Sequence, residues 1–190
     1  MTFEWAWVPE YDGPIGLLRN WPDKRLRITT VLGAVSRNFS EDGFELSLTV
    51  EDAPTESLDL RFQKVLFETL AAVRADPKIL EKLGSGGLLP GDPFALDTKD
   101  AVPSLADAGF VKLLFIDARE AHTAVFLPPL HGCNLLRYEL VPLRAGEAKL
   151  LETLGIEGFL KLFPFEKLEP FSFARADAAL TTNPSGMRAS

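Results

Sequence analysis

The side chains that could carry acid–base, nucleophilic or metal chemistry are few. There are two histidines, His122 and His131, and one cysteine, Cys133. His131 and Cys133 are neighbours in sequence, but a Cys–His dyad is a spatial arrangement, so that adjacency says little. Glu120 and His122 with His131 and Cys133 do not make a recognisable ligand set, because metal sites repeat Cys and His at short fixed spacings. The glycine-rich run Gly84-Ser-Gly-Gly87 lacks the Lys-Ser/Thr of a phosphate loop and follows a helical pattern rather than a strand. Ser36, Ser85 and Ser104 stand in no Gly-x-Ser-x-Gly setting. These residues predict no catalytic centre, no metal and no cofactor. An enzyme using Glu120, His122 or Cys133 is the alternative, and a small-ligand-binding regulatory domain with an aromatic pocket is another.

Charge is more informative. The chain has 27 acidic and 20 basic side chains, a net charge of −7, which argues against a general nucleic-acid binder. Seven carboxylates fall between Glu41 and Asp59, namely Glu41, Asp42, Glu45, Glu51, Asp52, Glu56 and Asp59, with no Lys or Arg among them. Such a face suits a basic protein partner, since complementary charge speeds encounter. Glu51, Asp52 and Glu56 are the expected partner-binding residues, because they flank the loop that follows a strand. The bland alternative is a solvated face paired with Arg25 and Arg27. No apolar run approaches the roughly 20 residues needed to span a bilayer, so no membrane partner is expected. The N-terminal segment has neither a basic region nor an apolar core of a signal peptide. With one cysteine, no internal disulfide can form, and a reducing cytoplasmic setting is the natural expectation.

The elements that must position these residues read from periodicity. Phe3, Trp5 and Trp7 alternate as on a strand that Pro9 ends. Leu17 to Trp21 reads as one helical turn stopped by Pro22. Leu26, Ile28, Thr30 and Leu32 alternate with polar residues, as do Phe44, Leu46, Leu48 and Val50, which predicts a hairpin with one buried and one wet face. Phe62, Val65, Leu66, Thr69, Leu70 and Val73 share a helical face, capped by Ser57 or Asp59, and Asp76-Pro77 opens a short helix closed by Gly84. Phe110 to Ile116 reads as a central strand and His122 to Leu127 as another. Leu136, Tyr138 and Leu140 face one way on an extended strand, Arg137 and Glu139 the other, and Pro142 ends the strand. A helix from Ala148 stops at Gly155, and Ile156 to Phe163 adds a further turn or two. Phe159, Phe163, Phe165, Phe171 and Phe173 predict an aromatic end packed on the sheet. The expectation is one α+β domain over residues 1–173, a mixed, largely antiparallel sheet packed by helices, and a disordered tail over 174–190.

Five short motifs occur in a familiar order. They are Thr29-Thr-Val-Leu-Gly-Ala-Val-Ser36, Glu45-Leu-Ser-Leu48, Phe67-Glu-Thr-Leu-Ala-Ala-Val-Arg74, Pro90-Gly-Asp92 and Leu140-Val-Pro-Leu-Arg-Ala-Gly-Glu147. In that order the chain resembles the suppressor-of-fused family in its compact bacterial form, over roughly residues 25–163. It departs by an extra residue between Gly33 and Ser36 and by Gly43-Phe44 where the family usually carries an Arg. The resemblance implies an α+β fold, no catalysis, and a bacterial interaction protein similar to immunity proteins that bind and neutralise a polymorphic toxin.

Overall fold

The computed structural model describes residues 2–8, 13–20, 25–32, 44–51, 60–84, 94–117, 136–164, 168 and 171–181. Seven strands form one mixed sheet: β1 (Thr2–Val8), β2 (Gly13–Asn20), β3 (Arg25–Leu32), β4 (Phe44–Glu51), β5 (Phe94–Asp97), β6 (Lys112–Asp117) and β7 (Leu136–Leu143). Their spatial order is β1-β2-β3-β4-β7-β6-β5. All neighbours are antiparallel except β4 and β7. The helices are α1 (Leu60–Ala75), α2 (Pro77–Gly84), α3 (Thr98–Ala101), α4 (Pro103–Asp107), α5 (Ala145–Leu162) and α6 (Ala178–Thr181). Among the described residues no helix is long and apolar enough to cross a membrane.

The antiparallel pairing of β3 with β4 follows from the alternation of their side chains. The register sets Leu26 opposite Val50, Ile28 opposite Leu48 and Leu32 opposite Phe44. A slip by one residue would turn every one of the apolar positions to the other face. Leu46, Leu48 and Val50 lie in one core with Val65, Leu66, Leu70 and Val73 of α1. Leu113, Phe115, Tyr138 and Leu140 belong to that same core, as their alternation predicts. Tyr138 keeps its hydroxyl satisfied there by donating to the Leu83 carbonyl at 2.8 Å, which ties the end of α2 to the centre of the sheet. Tyr138→Phe should cost about 1 kcal/mol in chemical denaturation, and an unchanged midpoint would show that the bond contributes nothing.

The opposite face of β6 and β7 carries a second core. Leu114, Ile116, Val141 and Leu143 pack against Ala148, Leu151, Ile156 and Phe159 of α5. Strand β6 is therefore buried on both sides, which explains its nearly continuous apolar sequence. Gly155 sits inside α5 with φ 67° and ψ 178°, a left-handed φ that glycine adopts freely and that kinks the helix between two helical segments. The first helical segment stops at Gly155 and a second runs on from Ile156, as the sequence predicts.

Four sequence expectations are corrected. Leu17 and its neighbours are not helical: β2 pairs on both edges, with Leu17 opposite Glu4 of β1 and Ile28 of β3. A single helical turn cannot offset its nucleation cost, whereas a strand between two others bonds along both edges. Pro142 does not end β7, which runs to Leu143 with Pro142 opposite Leu113. Pairing with β4 stops at Glu139, and the Pro142 carbonyl turns to Arg175 at 2.7 Å, so its missing N–H faces no strand. The second face of β4 is not wet, since Ser47 and Thr49 are buried. The phenylalanines do not form one cluster. Phe159 and Phe163 lie in the α5 core, while Phe171 and Phe173 pack with Phe62 on the other side of the sheet; Phe165 lies outside the described residues.

Residues 174–181, expected to belong to a tail, are docked. Arg175 forms an ion pair with Glu147, which is fully buried near the start of α5. Its Nη2 donates to Glu147 Oε2 at 2.8 Å. Glu147 also accepts from the backbone N–H of Arg144 at 2.8 Å and of Ala178 at 3.0 Å. Arg144 donates to the carbonyls of Phe173 and Arg175, both at 3.0 Å, and its guanidinium lies 3.9 Å above the Phe110 ring. Asp177 takes up the Gly146 N–H at 2.7 Å. The apolar side chains of this segment are mostly alanines, of which Ala178 and Ala179 pack against the second core, and its anchoring contacts are polar, so it escapes a search for hydrophobic periodicity. Residues 182–190 lie outside the described residues.

Candidate interaction surfaces

The residues first considered for chemistry, Glu120, His122, His131 and Cys133, lie outside the described residues, as do the strand expected at His122 to Leu127, Ser36, Ser85 and the caps Ser57 and Asp59. Ser104 has a structural role. Its N–H and Oγ both donate to the Glu68 carboxylate at 2.9 Å, fastening the start of α4 to α1. Asp76 caps α2 by accepting from the Lys78 N–H at 2.9 Å, with Pro77 at the first helical position, as the sequence predicts.

Of the acidic stretch, Glu45 and Glu51 fall within β4. The ladder sets Glu45 opposite Val31 and Arg137, and Glu51 opposite Arg25. Asp52 and Glu56, together with Glu41, Asp42 and Asp59, lie outside the described residues. Between the two glutamates, Ser47 and Thr49 occupy the same side of β4. Glu139, fully buried on β7, receives the Ser47 hydroxyl at 2.5 Å and the Thr49 hydroxyl at 2.9 Å. The parallel register makes this geometry, because Ser47 stands directly beside Glu139. A buried carboxylate is tolerated only when its oxygens are hydrogen-bonded, and each such bond contributes about 0.5–1.5 kcal/mol net. Register also sets Thr29 beside Ser47 and Arg27 beside Thr49. Residues opposed across a ladder share a face, so Arg27, Thr29, Ser47, Thr49 and Glu139 hold positions on one face of β3, β4 and β7. Alternation alone predicts that Glu139 leaves the apolar side of β7. It does not show that a parallel neighbour will bury it.

A second surface lies at the far end of the sheet. A groove of about 450 Å³ runs beside β5, lined by Ala72, Asp76, Ile79, Phe94, Ala95, Leu96, Asp97, Asp100 and Ala101. Phe94 and Leu96 are only partly buried, with Phe94 packed edge-on to Phe115 at 5.1 Å. Asp97 is 80% exposed and 3.4 Å from Lys112, which also reaches Glu152 at 3.2 Å. The hydrogen bond to Glu152, followed by Asp97, holds the Lys112 ammonium above its usual pKa against the opposing effect of partial burial. No motif in the sequence marks this groove, since its residues come from α1, α2, β5 and α3. Among the described residues no group of histidine, cysteine and carboxylate side chains could hold a metal ion.

Comparison of the chain with protein-family models, with curated proteins and with solved structures found no match.

Proposed function

We propose that this chain is a non-enzymatic protein-interaction domain that binds a basic protein partner, in the manner of the bacterial suppressor-of-fused-like immunity proteins that it resembles. The single observation behind this reading is the acidic stretch of sequence that includes β4. Seven carboxylates run from Glu41 to Asp59 without a basic residue, and β4 fixes two of them at opposite ends of a central strand. A run of carboxylates with no basic residue within it is what would attract a basic partner.

The test uses the partner captured from native cell extract and then purified. Reversing Glu51, Asp52 and Glu56 to Lys should slow association by about tenfold at low ionic strength while leaving the melting temperature within about 2 °C. Equal association rates for the wild type and the triple variant would remove these residues from the mechanism.

A further inference from the structure

We propose that residues 171–181 form a latch that opens and closes as one unit and, through Phe171, governs the order of the acidic end of β4. The proposal rests on the interaction-domain reading, because it names a way in which the position of Glu51 is regulated.

The sheet splits where this segment docks. Strands β4 and β7 pair from Phe44 beside Leu136 only as far as Ser47 beside Glu139. Beyond that point β7 stays on β6, and β4 stays on β3 up to Glu51. Phe171 stands on the edge of β4 that β7 leaves. It is bridged in parallel to Val50, and its N–H donates to the Thr49 carbonyl at 2.7 Å. On the other side of the split, Arg175 donates to the Pro142 carbonyl at 2.7 Å and pairs with Glu147. The segment is therefore anchored to both sides of the split.

A tight turn couples the anchors. The Arg175 N–H donates to the Ser172 carbonyl at 3.0 Å, and the Ala174 N–H donates to the Ser172 hydroxyl at 3.2 Å. A hydrogen-bonded turn leaves little slack, so release of Arg175 pulls on Phe171. Past Arg175, Asp177 accepts the Gly146 N–H, and a Cβ at position 146 would stand 2.7 Å from that carboxylate, so glycine is what lets the segment seat. The closed state has a hold and a flaw. Phe171 packs edge-on to Phe62 and Phe110, which keeps the latch shut most of the time. Arg175 Nε is buried and finds no acceptor among the described residues. Opening returns that donor to water, which lowers the cost of release. Segments held mainly by polar contacts at a junction are those that open below global unfolding. When this one opens, Val50 loses its neighbour on one edge, and the Glu51 end of β4 keeps only β3.

Native-state hydrogen exchange of the full chain, read by backbone amide NMR, tests the latch. The amides of Phe171, Gly146 and Ala178 should share one opening equilibrium and exchange more readily than those of Leu70 and Val73 in α1. Arg175→Lys keeps the charge but loses the fork that reaches Glu147 and Pro142 together. It should speed exchange at Phe171, Gly146 and Ala178 alike by about tenfold, shift the Glu51 amide resonance, and leave Leu70 and Val73 unchanged. Gly146→Ala presses on Asp177 from the other end and should act on the same amides. Phe171 keeping its protection while Gly146 and Ala178 lose theirs would show independent anchors and overturn the proposal. Exchange of all these amides together with Leu70 and Val73 would show global unfolding in place of a latch, and an unmoved Glu51 would show that the latch does not reach the acidic end; either result overturns it as well. No partner enters the measurement, so the latch can fail while the acidic stretch still binds its partner.

Discussion

Replacing Glu147 by Ala should destabilise the protein by about 3–5 kcal/mol, the cost of leaving a buried charge without its partner. The carboxylate is fully buried and gathers the Arg175 guanidinium and the backbone N–H groups of Arg144 and Ala178 around itself. Its loss orphans all of these at once. For a chain of 190 residues this corresponds to a fall in melting temperature of roughly 10 °C. Arg175→Ala should have a comparable effect, and the double variant should cost much less than the sum, because the two substitutions remove one shared interaction. Truncation after Phe173 removes Arg175 and Asp177 together, and should destabilise at least as much as Arg175→Ala. Calorimetry on these variants decides the matter: a truncated chain that melts with the wild type would mean that residues 174–181 do not hold the start of α5.

The second large effect is expected in the sheet centre. Leu140 is buried in the core that joins β4, β6 and β7 to α1, and Leu140→Ala should cost about 2–5 kcal/mol through lost transfer energy and the cavity left behind. Leu154 on α5 is 41% exposed, and Leu154→Ala should change stability by less than about 0.5 kcal/mol. Urea denaturation of the two variants gives the comparison. A loss below half a kcal/mol for Leu140→Ala would place the residue outside the core.

The parts of this fold legible in the sequence are those governed by strong local periodicity. The β3–β4 hairpin declares itself because apolar residues alternate on both strands, and pairing aligns them in register. Helix α1 shows its buried stripe at helical spacing, and α2 shows its cap and proline. Misread elements were those settled by neighbours distant in sequence. Strand β2 carries too little pattern to reveal that β1 and β3 flank it. Pro142 reads as a terminator until the Arg175 side chain accounts for its carbonyl. The glutamate five residues after Pro142 is visible as part of a motif, yet its role as a buried anchor appears only when residues 174–181 fold back onto it. The groove beside β5 was not legible at all. It is assembled from four elements, a juxtaposition that no single stretch of sequence records.

The central claim is that opposite charge brings a basic partner to this domain. The measurement that tests it most directly is the association rate constant of the wild-type chain with its purified partner as a function of salt, by stopped-flow fluorescence between about 20 and 500 mM sodium chloride. An electrostatically steered encounter predicts a rate that falls by an order of magnitude or more across that range, with the dissociation rate changing far less. A rate that stays flat, or rises with salt, would contradict the account.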